Sequence, residues 1–148
     1  MDRCLVWIAM PMEAKAVSRD DWKLHKMSKA HATIPVNREF SAGEMESIKS
    51  GFRPDSMDDH WFIFFEKDRL YIHRSWTGYC IFIVQFSKEA RGYVASELLT
   101  NRNPKQFGPR DDSYDAQVAF WVIDHFLLGR KEFDMPHPPD LSRPPNDL

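Results

Sequence analysis

Four strand-length runs between residues 60 and 100, "HWFIFFE", "LYIHRSW", "CIFIVQF" and "YVASELL", leave this chain few folds to adopt. Each is rich in aromatic and β-branched side chains, which fit a pleated, half-buried surface. The connections "KDR", "TGY" and "SKEARG" are of hairpin length, so the runs read as a β-meander and imply an antiparallel sheet. With Lys67 and Asp68 at the first turn, Phe65 faces Leu70, Ile63 faces Ile72, Trp61 faces Arg74 and Phe62 faces His73, while Glu66 and Arg69 close the hairpin as an ion pair. With Thr77 and Gly78 at the second, Ser75 pairs with Cys80 and His73 with Phe82, Gly78 supplying the positive φ.

The flanks add helices. In "FSAGEMESIKSGF", Ser41 and Glu44 form an S-x-x-E capping box and Phe40 and Met45 stand as a hydrophobic staple, which predicts a helix from about 42 to 50 ending at Gly51. "DDSYDAQVAFWVIDHFLLG" (111 to 129) predicts the longest helix, with aspartates in its first turn and Gly129 at its end. Tyr114, Val118, Trp121, Val122 and His125 form one stripe and Ala116, Phe120, Ile123 and Leu127 another, so this helix must be buried against the sheet or a partner. Upstream, "WKLHKM" (22 to 27) and "HATIPV" (31 to 36) read as strands, Pro35 confining the second to an edge. The expected fold is α+β: an antiparallel meander of about four or more strands packed on a long C-terminal helix, with a short helix before the sheet. A single domain would span 1–133, with residues 1–30 open to assignment, and the Pro-rich 134–148 would form an extended or disordered tail.

At 148 residues and 43% apolar, the chain can bury a core without disulfides or structural metal. Its formal charge of -2 gives no global reason to expect a nucleic acid or an anionic membrane as partner. Cys4 and Cys80 lie in no metal-ligand spacing, and the apolar run "CLVWIAM" is too short for a signal peptide or a spanning helix. The expectation is a cytoplasmic protein without cofactor or metal.

The densest chemistry sits in "YIHRSWTGYC" (71 to 80). Strand alternation puts Tyr71, His73 and Ser75 on one face and Ile72, Arg74 and Trp76 on the other. On the first face, His73 with Ser75 or Cys80 is a candidate base and nucleophile; the alternative is a polar cap beside a cysteine packed as a small apolar residue. On the second, Arg74 between Trp61 and Trp76 can stack on indoles and present its fork to an anion, or serve as a structural ion-pair partner. The acid runs "DDH" and "DDSYD" read as turn and helix-start residues rather than metal ligands. "HAT" and "HRS" look like the paired H-x-T/S of the two-histidine phosphoesterases, but their separation is short and no symmetric halves are visible.

"MDDHWFIFFEKDRLYIHRSWTGYCIFIVQF" followed by "NRNPKQFGPRDDSYDAQVAFWVIDHFLLGR" resembles a family of small bacterial proteins and domains that share a W-F-I-aromatic, L-Y-aromatic-H-R-S-W-T-G core and have no assigned activity. The resemblance runs from about residue 34 to 130 and implies a module attached to other domains, with no catalytic residues to carry over. The expected function is binding or regulation, recognising a partner protein or a small anionic ligand through the "HRSWTG" hairpin. Arg74, Trp61, Trp76 and His73 would make the contacts. Two other readings stand beside it: a small enzyme acting on a phosphorylated or nucleotide-like substrate through His73, Ser75 or Cys80, and a purely structural interaction protein.

Overall fold

The computed structural model describes residues 16–56, 58–107 and 111–136. The N-terminal apolar run and most of the Pro-rich tail lie outside them. Five strands, β1 (His31–Ser41), β2 (Trp61–Glu66), β3 (Arg69–Arg74), β4 (Cys80–Glu89) and β5 (Gly92–Asn101), form one sheet in the order β1-β5-β4-β3-β2. All its pairings are antiparallel. Pro35 lies on edge strand β1, where its missing N–H breaks no interior ladder, and the register of β1 against β5 shifts between Pro35 and Arg38.

The first hairpin has the register its alternation predicts, from Trp61↔Arg74 to Glu66↔Arg69. Lys67 and Asp68 both adopt positive φ, as a tight two-residue hairpin turn requires. The predicted Glu66–Arg69 ion pair does not form. Glu66 instead accepts from Arg19 at 2.6 Å, while Arg69 donates to its β4 neighbour Gln85 at 2.8 Å. The second hairpin also departs from expectation: His73 pairs with Cys80 and Ile72 with Phe82, leaving Ile81 as a bulge. Its loop is longer than a two-residue turn, closed by Arg74 N–H to the Tyr79 carbonyl and Gly78 N–H to the Arg74 carbonyl. Ser75 therefore belongs to the loop.

The short helix α1 (Ala42–Ser50) lies after β1, not before the sheet, because the 31–41 strand joins the sheet beside β5. Its capping box forms as predicted, with Glu44 N–H to Ser41 Oγ at 3.1 Å and Ser41 N–H to Glu44 Oε1 at 2.9 Å. The C-terminal helix α2 (Asp112–Val122) is capped by Asp111 and continues as a π-helical turn over Ile123–Leu127, ending before the predicted 129. Tyr114, Val118, Ala119, Val122, Ile123 and Leu127 join Phe40, Met45 and Ile48 on the sheet face formed by Trp61, Ile63, Leu70, Ile72, Phe82 and Val84. Glu44 Oε2 also accepts from Arg130, tying α1 to the chain just beyond α2.

The opposite sheet face is buried too: Phe62, Phe64, His73, Cys80 and Ile83 are almost fully enclosed. The uninterrupted apolar runs "WFIFF" and "CIFIV" require this, since alternate residues point to opposite faces. Residues 16–30 cross this face as a strap, not as the strand predicted for "WKLHKM". Only a short 3₁₀ turn (Arg19–Asp21) interrupts the strap. Backbone bonds fix it at Val17 to Ser50, His25 to Gly78 and Ala30 to Arg102. Trp22 stacks on Phe62 at 5.4 Å, and the Arg19 guanidinium lies over the rings of Phe64 and Tyr71.

One buried polar cluster joins α2 to the sheet. Asp115, 0% exposed, accepts from Thr100 Oγ1 at 2.8 Å and from Arg102, which also reaches Asp112. Removing one partner of such a pair strands the other. Asp115→Ala is expected to lower unfolding stability by about 3 kcal/mol, read as a shift in the urea midpoint at unchanged m-value.

Candidate functional site

The "HRSWTG" hairpin tip is where strap, sheet and loop meet. Gly78, at φ 78°, directs its carbonyl to two donors: the backbone N–H of His25 at 2.9 Å and Nδ1 of His73 at 3.0 Å. A carbonyl only accepts, so Nδ1 carries the proton and Nε2 is the bare nitrogen. That Nε2 is buried with no hydrogen-bond partner among the described residues. His73 is 3% exposed and stacks on Phe64. Burial pushes its pKa down to about 4, against the opposing Gly78 hydrogen bond, so the ring is neutral at pH 7.

Cys80 pairs with His73 across the strands, as a nucleophile and base would, but its chemistry is quiet. Burial pushes the thiol up to about 12, and Sγ approaches the Phe82 carbonyl at 3.7 Å. A reactive cysteine needs the thiolate at neutral pH. Ser75 is spent elsewhere: its hydroxyl donates to the Asp59 carbonyl at 2.8 Å, its N–H to His60 and its carbonyl accepts from Trp22 Nε1. His31 is far from His73, since β5 and β4 intervene between their strands. At about 4.8 Å per strand the separation is about 14 Å, so the two H-x-T/S segments do not face one another.

The arginine face divides. The Arg74 guanidinium lies 5.2 Å from the Trp61 ring, as its register predicts. Their recess, shared with Phe107, Tyr114, Val118 and Met135, has a volume of about 30 Å³, roughly the space of one water molecule. Trp76 is not there. It is 64% exposed, 5.5 Å from the His60 ring, and borders another concavity with Trp22, Pro54, Asp55, Ser56 and Ser75. That groove has a volume of about 500 Å³.

On the other side of the strap, Arg19, His25, Lys26, Met27, Tyr71, His73 and Cys80 line a cavity of about 220 Å³. The strap thus supplies Trp22 to one concavity and Arg19, His25 and Lys26 to the other. Sequence reasoning missed Trp22, His25 and Lys26 because it treated 22–27 as a strand, and Arg19 because it lies in the stretch left open to assignment. The available signal was the need for something to cover the second face of "WFIFF". Among the described residues, no three His, Cys, Asp or Glu side chains come together to hold a metal, and no helix is long and apolar enough to cross a membrane.

Comparison of the chain with models of known families, with curated proteins and with solved structures returned no match. The reading of the site rests on its geometry.

The depressed His73 pKa gives the fold an acid sensitivity. Above the unfolded value of about 6.5 both states are neutral; as pH falls towards about 4, the unfolded chain takes up a proton that the folded one refuses, so stability drops. Burial lowers His125 as well, adding a loss of the same sign. The His73 contribution is about 2 kcal/mol at pH 5. Denaturant midpoints at pH 7 and pH 5 should show a fall in wild type that is reduced by this amount in His73→Asn, which retains a donor for Gly78.

Proposed function

We propose that this domain is a recognition module that binds an extended segment of a partner protein in the Trp22/Trp76 groove beside the "HRSWTG" hairpin. The observation that carries this reading is the exposed indole of Trp76 at the mouth of a 500 Å³ concavity. Exposed aromatics beside a pocket are the residues that supply most binding energy at interfaces. Trp22 is the rigid wall, held by its stack on Phe62 and its hydrogen bond to the Ser75 carbonyl, so little ordering cost remains for binding.

The groove chemistry favours a proline-containing segment with a basic neighbour. Prolyl rings in polyproline conformation dock between aromatic side chains with little further loss of chain entropy. Asp55 is the charged residue among the described residues of the lining, and Asp58 and Asp59 follow in the same loop. The guanidinium of Arg53, the residue before Pro54, lies 6.0 Å from the Trp22 ring. The enzyme reading draws less support, because a thiol pushed to about 12 and a serine hydroxyl committed to a carbonyl offer no nucleophile.

The test is a panel of proline-rich decapeptides with Lys/Arg or Asp/Glu flanks, titrated while following tryptophan fluorescence. Saturable binding of the basic-flanked peptides is expected, weakened about thirtyfold in Trp76→Ala, as for loss of an interfacial hot spot. The exposed position should leave stability within about 0.5 kcal/mol of wild type. Absence of binding across the panel, or equal binding by the variant, contradicts the proposal.

A further inference from the structure

The described chain runs to Pro136, and it arrives there beside the Trp22/Trp76 groove. Tyr114 Oη donates to the Pro136 carbonyl at 3.4 Å, and Met135 shares the small recess of Trp61 and Arg74. Arg74 stands two residues before Trp76, which lines the groove. At 3.8 Å between successive Cα atoms, and with Met135 and Arg74 meeting in a recess of one water's volume, the Pro136 backbone lies within about 20 Å of the Trp76 backbone.

The sequence that follows, "HPPDLSRPPNDL" (137 to 148), carries two proline pairs. Pro144 and Pro145 come directly after Arg143, whereas Pro138 and Pro139 are followed by Asp140. A proline pair suits a slot walled by two indoles, and an arginine before it suits the carboxylates of Asp55, Asp58 and Asp59 along the groove's loop. Asp140 would meet that same acidic loop and be repelled by it. Reach selects the same pair. Arg143 is seven residues beyond Pro136, about 22 Å at polyproline pitch, while Pro138 is two residues beyond and gains only about 6 Å.

We infer that the groove's resident ligand is this chain's own segment 142–147, with Pro144 and Pro145 between Trp22 and Trp76 and Arg143 toward the Asp55 loop. A partner's segment then binds by displacing it. The inference rests on the groove reading above and adds a built-in competitor to it. A tethered segment acts at an effective concentration in the range of about millimolar, so even a weak intrinsic fit keeps the groove filled. The apparent affinity for a partner falls by the fraction of molecules whose groove is open.

The test titrates a basic-flanked proline decapeptide into the wild-type full chain and into the full-chain double variant Pro144→Ala/Pro145→Ala, whose substitutions touch no residue of the described core. The variant should bind the peptide about tenfold more tightly. Without peptide, the Trp76 indole ¹H–¹⁵N signal should differ between the two proteins and stay fixed as protein concentration is varied. Pro138→Ala/Pro139→Ala should behave as wild type. Equal peptide affinity in wild type and Pro144→Ala/Pro145→Ala overturns the inference and leaves the groove reading standing, whereas absence of binding to both overturns the two together. Equal release by the Pro138→Ala/Pro139→Ala variant overturns the choice of segment. A Trp76 signal that moves with protein concentration overturns the intramolecular contact, because the segment then comes from a second copy.

Discussion

The carbonyl oxygen of Gly78 accepts two hydrogen bonds, from His25 N–H and from His73 Nδ1, and the second half of the structure is organised around it. A left-handed φ of 78° is needed to turn that carbonyl inward, and a Cβ at this position would sit 2.4 Å from the Lys23 carbonyl. Only glycine satisfies both conditions. The bond to His25 holds the 16–30 strap on the sheet; the bond to His73 fixes which imidazole nitrogen is protonated. With the strap in place, the second sheet face is covered and two concavities form on its flanks. Both concavities are thus consequences of one turn.

The helical side of the sheet is held by different means. There the seal is apolar, from Phe40 and Met45 to Val122 and Leu127, with a cluster of ion pairs at either end. At one end Asp115 binds Thr100 and Arg102. At the other, Asp124 accepts from Arg38 and Arg130, and Arg130 reaches the capping-box residue Glu44. Glu44 therefore caps α1 and anchors the chain beyond α2 at once. Such pairs contribute register more than net stability, since each ion loses much of its hydration. Arg38 adds stacking, its guanidinium lying 4.7 Å from the Phe40 ring and 5.3 Å from Phe120.

Local rules made much of this legible. The capping box at Ser41, the Lys67–Asp68 turn and the edge position forced by Pro35 follow from one or two residues each, and all appear in the structure. What failed were readings that depend on distant partners. Glu66 and Arg69 stand opposite one another, yet Arg19, 47 residues away in sequence, takes the carboxylate. The bulge at Ile81 moved Cys80 opposite His73 and put Ser75 in the loop, which nothing in the turn dipeptide Thr77–Gly78 announces. At the site, alternation correctly parted His73 from Arg74. It could not show that Trp76, past the end of β3, turns away from Arg74 to His60 and the Trp22 groove.

The central claim is that the strap is a stable layer of the domain, pinned through Gly78. Native-state hydrogen exchange at the Val17 and His25 amides, which donate to Ser50 and Gly78, tests it most directly. Both amides should exchange about a hundredfold or more slowly than in an unstructured peptide, and His25 should lose that protection in Gly78→Ala while β4 amides keep theirs. Exchange of the His25 amide at the unstructured rate in the wild-type protein would contradict the account, since neither concavity exists without the strap.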